Sequence, residues 1–582
     1  MGTTRRVRTA RGSTESGVAL ILVMLALLVL STLAAAMIIS ARSETLASYN
    51  YKLNTQADYL AKAGIQQAVN WFRSQRYQPV TQSQATTYYS VTSDGSVFSL
   101  YTSNASPVQC ISSCGSTNAS VQLIGYGSGS SNYPNINDAG GTAVAAAFAN
   151  DLVNVRVTGD ANNSGTFSVR ATLLNYQTVN PNIATCPSPA GGAPPCPVET
   201  WLITSLGSWT GGSGQTGSVA TAEEQAIIQP IYTPTWGNAL YGFCSLSMSG
   251  SSGVCTDSFN STFGQYGGGN KSVAAGACDS SSSNVIDSGA GVGANGSVTL
   301  GSNVTVAGNV TIGTGAPSAC GTGYSGSVSS VLGEVVNGPY KAPPAVPTFR
   351  TNFPTGVPSY SGSQTLPIAS GSGTVSWPAM PPFPGTLSSP ATTTPPILDS
   401  KGNAVTSPCM DSTCNGTQAH PFEINSISIS ANGETVKLVG GPDITHPVYY
   451  NVNSISESGK GEIDVSGFVV LNVRTSMSIT GNGVTNGISG TADIPPEAVQ
   501  INYAGTSGVS LGGNGAISAL VNAPNASVTL GGGGSKGYFV GAIQANTVDD
   551  HGGYPVHYDL QLNRLGGSVG TMSISSYSRI KM

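Results

Sequence analysis

What this chain has least of is charge. Only 8% of its 582 residues are Asp, Glu, Lys or Arg, against about a quarter in ordinary soluble domains. The net charge is −5, and no basic cluster follows the first dozen residues, which excludes the electrostatic footprint of a nucleic-acid binder. Low charge combined with 39% hydrophobic residues is also not the composition of a disordered chain. Histidine is nearly missing. The four that occur, His420, His446, His551 and His557, form no H-E-x-x-H, and no C-x-x-C is present either, so no metal-ligand spacing is legible. Glycine runs near Gly512 and at 531–534 lack the Lys-Ser/Thr and following helix of a phosphate loop. Acidic candidates near regular repeats are confined to Asp464, Asp549, Asp550 and Asp559, too few for the charged groove of a polysaccharide-cleaving β-helix. Asp549-Asp550-His551 reads as a solvated loop before a cation site. No catalytic, cofactor-binding or metal residue is expected, and the chain is read as a non-enzyme.

Between Glu15 and Arg42 there is no charge at all, and VALILVMLALLVLSTLAAAMIISA fills the gap. Roughly 20 apolar residues at about 1.5 Å each suffice to cross a bilayer as one helix. A leader carrying Arg5, Arg6, Arg8 and Arg11 precedes it. That basic flank places the N-terminus in the cytoplasm and the bulk outside. A secretory signal would show a shorter apolar run closed by a small-residue cleavage site. Beyond Arg42, Leu46, Tyr49, Leu53, Ala57, Leu60, Gly64, Ala68 and Phe72 recur at three- and four-residue steps, with no proline before Pro79. Residues 18–75 are therefore predicted to form one rod, transmembrane in its first half and amphipathic in its second.

The rest of the chain is predicted to be mainly β. In residues 76–235, segments such as TTYYSVTSDGSVFSLYTS and LVNVRVTGDANNSGTFSVRATLL alternate apolar and polar residues between turns. They suggest an antiparallel β-domain with one face against the helix. From 236 the pairs Val298/Leu300, Val304/Val306 and Val310/Ile312 recur every six residues, the mark of a β-solenoid. A β-sandwich is the competing reading. Residues 236–334 are assigned to a first part of the solenoid and 399–582 to a second, separated by a Pro-rich excursion, 335–398, with little regular structure. The ten cysteines all follow the apolar helix, and an even count there fits disulfides made in an oxidising space. Proximity pairs Cys110 with Cys114, Cys186 with Cys196, Cys244 with Cys255 and Cys409 with Cys414, leaving Cys278 and Cys320. Trp209, Trp236 and Trp377 read as packing residues, with sugar-stacking platforms as the alternative.

Three features together resemble the PilX-type minor pilins of type IV pili and, more distantly, the GspK-type tip pseudopilins of type II secretion. A basic leader, residues 1–17, ends at Gly17 before Val18, as at a prepilin peptidase site. LNTQADYLAKAGIQQAVNWF resembles the Q-A-x-x-x-A-x-A-G stretch of PilX-like helices through Gln56, Ala57, Ala61, Ala63 and Gly64. The run ending in His557, Tyr558 and Asp559 looks like the solenoid module of large PilX-like proteins, whose last turn closes on H-Y-D. The resemblance implies a fibre subunit stored in the inner membrane, with the bulk periplasmic or on a pilus. It would be processed by the prepilin peptidase and assembled with other pilins or pseudopilins through the N-terminal helix, in a priming or tip role. Two departures stand out. Leu22 occupies the fifth mature position, where major pilins carry Glu, which suits a special-position subunit. Lys62 stands where the family usually has Glu. A membrane-anchored adhesin binding surface glycans is the alternative.

Overall fold

The computed structural model describes residues 15–89, 108–111, 119–124, 130–157, 164–179, 195–210, 219–250, 254–261, 285–327, 330–349, 359–366, 397–398, 404–405, 416–441, 446–485, 495–532 and 537–581, with one- or two-residue gaps, and isolated positions including Cys186, Tyr266 and Cys278. Residues 1–14 of the leader, Cys114, Trp377, Cys409 and Cys414 lie outside the described residues. The fold is mainly β with one long N-terminal helix.

That helix, α1, runs unbroken over Glu15–Arg73, 59 residues, or about 88 Å at 1.5 Å per residue. Its hydroxyls fold back on its own backbone. Ser31 and Thr32 donate to the carbonyls of Leu28 and Val29 at 2.8 Å each, so no polar group of these side chains needs an outside partner in an apolar setting. The Ser74 N–H donates to the Trp71 carbonyl at 3.0 Å and tightens the last turn.

Against the second half of α1 lies an antiparallel sheet. Its strands are β1 (Gln122–Ile124), β2 (Val155–Val157), β3 (Ser164–Val179), β4 (Cys196–Thr210) and β5 (Val219–Thr233). The order is β1-β3-β4-β5, with β2 also paired to β3. Period-two alternation sends Phe167, Val169, Ala171 and Leu173 of β3 and Trp201 and Ile203 of β4 into the core beside Ile65, Val69 and Phe72 of α1. Two helices interrupt the region read as β-rich, α2 (Gln82–Tyr88) and α3 (Val144–Leu152). In VAAAFANDL the buried set is Val144, Ala147, Phe148 and Leu152, an i, i+3, i+4, i+8 stripe.

The outer neighbour of β5 is the C-terminal strand Ser568–Lys581, antiparallel, with Ile574 opposite Ile228 and Tyr577 opposite Ala226. The sequence reading placed these residues in the second solenoid part. They instead return to complete the first sheet. Alternation in SVGTMSISSYSRIK fits any half-buried sheet edge, and Met572, 4% exposed, is buried in the core beneath α1.

Between these segments the described strands pair in parallel, apart from Val285–Ile286 against Val254–Phe259 and Ile397–Leu398 against Ala404–Val405, which are antiparallel. One apolar column runs Phe422–Tyr450–Leu471–Ile501–Val521–Ile543–Leu240–Val292–Val310–Val335, each residue the direct partner of the next. Beside it, Asn451, Asn472 and Asn502 stack through their amides, Asn472 donating to Asn451 at 3.0 Å and Asn502 to Asn472 at 3.1 Å. The six-residue repeat makes successive sides of one turn. Val298 pairs with Leu246, Val304 with Val254 and Val310 with Val292, and 310 − 292 gives an eighteen-residue turn of three such sides. Corners need glycine. Gly483 has φ +85°, and a Cβ there would overlap the Ala516 carbonyl oxygen.

The order of that column is the main departure from a simple reading along the chain. Ile543, near the end of the sequence, stacks on Leu240, so the later block sits on the front of the earlier one. The start and the middle of the Pro-rich segment consequently lie at opposite ends of the ladder. Val335–Gly338 extends one end through Val310–Gly313, and Ser359–Ser361 and Gln364–Leu366 extend the other through residues 426–428 and 436–438. The excursion thus carries regular strands at its start and middle, because each prolongs an exposed ladder edge.

Three disulfides are described: Cys186–Cys196, Cys244–Cys320 and Cys255–Cys278, and Cys110 is also disulfide-bonded. The first agrees with proximity. Cys244 with Cys255 does not, because the two lie on successive parallel strands of one turn, 240–249 and 254–259, and each is stapled to a separate loop.

Candidate assembly interface on the N-terminal helix

The two halves of α1 differ completely in their surroundings. Val18, Leu20, Ile21, Leu22, Leu25, Leu28 and Ile39 all stand more than half exposed, and the helix is long and apolar enough to cross a membrane. Gly17 lies in the third position of the helix with open space around it. Leu22 is one more apolar residue of this surface. Ala34, Ala35, Ala36 and Ser40 supply a small-residue patch on it, the kind that permits close helix–helix approach in lipid.

Burial begins about two turns later than the sequence suggests. Leu46 is exposed and Tyr49 half-buried, and the continuous buried stripe starts at Leu53. Of the helix motif, Ala57, Ala61 and Gly64 face the sheet, Gln56 is half-buried and Ala63 points to solvent. The small residues serve contact. A Cβ on Gly64 would overlap Ser205 Oγ and lie 3.0 Å from Phe167 Cδ2. A Cβ on Gly165 or Gly207 of the sheet would strike Leu60 or the Ala57 backbone. Sheet glycines and helix alanines thus bring the two backbones close together.

Charge then fixes the register. Lys62 donates to Asp58 one turn earlier at 2.8 Å. Arg579 of the C-terminal strand reaches Asp58 at 3.0 Å and Glu224 of β5 at 3.7 Å. Burial pushes the Asp58 carboxyl up, but the Lys62 and Arg579 cations outweigh it and hold Asp58 below its ordinary range. Burial and the neighbouring Asp58 raise Glu224. The C-terminal strand is therefore clamped to the second half of the N-terminal helix, a link no local sequence signal announces.

The lower end of α1 closes on an aromatic nest. Phe72 lies 4.7 Å from Tyr77 and 5.3 Å from Trp201, and Trp71 lies 5.0 Å from Phe148 of α3, between ring centroids. Inside it sits Glu199, 1% exposed. The Tyr77 hydroxyl and the Trp201 Nε1–H (3.2 Å) donate to its carboxyl, as does the Val80 N–H at 3.3 Å. Beside it lies a cavity of about 30 Å³, lined in part by Pro79, Cys196, Pro230 and Met572, room for a water rather than a substrate. Burial pushes the Glu199 carboxyl up to about 7 against the pull of its three donors. Its unfolded value is that of an ordinary Glu, so the folded state holds the proton more tightly. Stability contributed here is complete at low pH and is lost as pH rises from about 4.5 through about 7, by up to about 1.4 kcal/mol per unit. Glu199→Gln should flatten that slope, as read by urea midpoints measured across pH 4–8. A slope identical to wild type would remove Glu199 as its source.

His557, Tyr558 and Asp559 are fully buried, and they lie in mid-ladder. Their strand pairs in parallel with 256–259, His557 opposite Asp257, so the motif seats the late block on the early one instead of closing an end. His557 Nδ1 meets Asp257 Oδ1 at 2.7 Å. Tyr558 donates to the Trp236 carbonyl at 2.6 Å, and Asp559 Oδ1 accepts the N–H groups of Ser261 and Gln561 at 3.1 Å each. Burial raises the Asp559 carboxyl to about 6, against those donors. Sequence reasoning missed Asp257 because its partner lies 300 residues away. Asp549-Asp550-His551, expected as a solvated loop, instead ends the strand Tyr538–His551: Asp549 and His551 approach to 3.5 Å on its half-exposed face and Asp550 between them is buried, while Trp236 is packed in the core.

No family model matches the chain, and no curated protein matches it. Among solved structures, the chain is similar to the competence-associated pilin ComZ from Thermus thermophilus at 12% identity, over 91% of this chain and 98% of that one, with a TM-score of 0.26. A similarity at that level decides nothing about this chain.

Proposed function

We propose that this chain is a non-enzymatic, PilX-like minor subunit of a type IV pilus or type II secretion pseudopilus. One observation carries the reading: a single continuous helix is wholly exposed and apolar in its first half and locked into a protein core in its second. Such a rod is stored by inserting its free half in the inner membrane and is then used by packing that half among sister helices. Cleavage after Gly17 would leave Val18 as the first residue of an almost wholly apolar rod. The parallel ladder serves as a β-solenoid body. Its bulk suits a tip or priming position better than repetition along a thin shaft.

Mass spectrometry of the protein from its native cell should show a chain beginning at Val18. Deletion of residues 18–41 should abolish fibre assembly or secretion. An intact N-terminus would remove the peptidase from the scheme, and unchanged fibres and secretion in the deletion strain would overturn the scheme itself.

A further inference from the structure

Cys255, Asp257, Cys278 and His557 converge where the late block meets the early one. Cys255 and Asp257 are alternate residues of the strand Val254–Phe259 and so face the same side. His557 is the direct partner of Asp257 on the neighbouring turn, and the disulfide holds Cys278 beside Cys255. Ligand atoms of Asp257, Cys278 and His557 lie within 4.8 Å of one another. A tetrahedron built from bonds of about 2.0–2.3 Å has edges of roughly 3.3–3.8 Å, so small shifts bring Asp257, Cys278 and His557 to that spacing, and Cys255, which lies outside that set of three but is tied to Cys278, supplies the fourth ligand once the disulfide opens. The surroundings suit one. Asp257 and His557 are fully buried. Tyr266 stacks on His557 at 3.7 Å between ring centroids and donates to the second Asp257 oxygen. That arrangement leaves Oδ1, now shared with His557 Nδ1, as the atom a cation would take over.

We propose that reduction of the Cys255–Cys278 disulfide converts this cluster into a zinc-binding site that joins the two blocks of the ladder. Cys278 is half-exposed whereas Cys255 is 7% exposed, so the sulfur open to attack is that of Cys278. A dithiol reductant attacks Cys278 Sγ, and Cys255 leaves as a thiolate. The second thiol of the reductant then displaces Cys278, so two electrons pass to the protein and the reductant ends as a cyclic disulfide. Zinc binds the two thiolates, a carboxylate oxygen of Asp257 and a ring nitrogen of His557, and the two thiol protons go to solvent. A disulfide oxidant reverses the exchange, taking up the two electrons as it re-forms Cys255–Cys278 and expelling the metal. The proposal stands apart from the fibre reading, since it concerns only the ladder.

Cobalt(II) titrated into the full chain in detergent, reduced with a dithiol and then freed of it without oxygen, tests this. One equivalent should give the d–d bands of tetrahedral cobalt with a thiolate-to-cobalt charge-transfer band, and zinc should bleach both. The oxidised chain should give neither. Cys278→Ser, at a half-exposed position, should abolish the charge-transfer signal or weaken cobalt binding at least tenfold, and His557→Gln should shift the d–d bands. The double variants Cys186→Ser/Cys196→Ser and Cys244→Ser/Cys320→Ser should leave the spectrum unchanged. A reduced chain without cobalt bands overturns the proposal, and so does a spectrum that survives Cys278→Ser.

Discussion

Gly207→Leu should unseat α1 from its sheet and cost about 3 kcal/mol or more. A Cβ at this position overlaps the Ala57 carbonyl oxygen and lies 2.5 Å from the Ala61 nitrogen and 3.0 Å from Leu60 Cβ. Two of those three atoms are helix backbone, which no rotamer change can move aside. The helix must lift, and lifting it opens the core shared by Ile65, Val69, Phe72, Val169 and Ile203. Gly64→Ala supplies the control. Its Cβ meets mainly the end of the Ser205 side chain, which can turn away, so the loss there should be near 1 kcal/mol, the size of a modest overpacking. Intrinsic fluorescence in a denaturant titration reads both, because Trp71 and Trp201 are buried in this core. The ladder has its own core and is followed separately, since two cores need not unfold as one transition. Equal losses at Gly64 and Gly207 would contradict the close backbone approach.

The second large effect should fall on assembly and leave the folded body untouched. Leu28→Arg combined with Leu30→Arg places two cations near the middle of the exposed apolar half, each about 2.5–3.5 kcal/mol unfavourable at the centre of a membrane helix. Membrane retention should collapse, while the three described disulfides and the tryptophan fluorescence of the body stay as in wild type, because none of this surface is buried in the protein. Ala35→Leu separates anchoring from packing. It keeps the helix apolar, so membrane retention should persist, but it enlarges a small-residue patch and should lower incorporation into fibres. Were the double-arginine protein retained in the membrane and built into fibres normally, the exposed half of α1 would have neither role.

Stability in the β-domain links these effects to the chemistry of the surroundings. Glu199 keeps its proton to about pH 7, so the nest that seats the end of α1 is firmest in mildly acidic conditions. The clamp at Asp58, Lys62, Glu224 and Arg579 behaves differently. Asp58 is held low by its cations, so its contribution is present above the ordinary Asp range and is lost as pH falls through its depressed folded value.

Much of α1 was legible in the residues themselves. An uncharged stretch from 16 to 41 and a three-and-four periodicity without proline have one structural outcome, because every backbone group in the apolar half must be satisfied within the segment. The amphipathic stripe from Leu53 to Phe72 and the alternating strands of β3, β4 and β5 follow from the 3.6 and 2.0 periods in the same way. Alternation, however, says which face of a strand is buried and nothing about which strand lies beside it. That is why Ser568–Lys581 could be read as a solenoid side and yet pair with β5. It is also why nothing in the order of the sequence showed Ile543 stacked on Leu240, or His557 beside Asp257. The cysteines show the same limit: pairing by nearness succeeded for Cys186–Cys196, where β4 begins, and failed for Cys244 and Cys255, which a corner of the ladder holds apart. Local order was set by side-chain period and backbone hydrogen bonding, which a short stretch of sequence carries entire. Neighbours across the ladder, the disulfide partners and the Arg579 clamp were decided only when distant segments competed for the same exposed edges, a free energy that belongs to the whole folded chain.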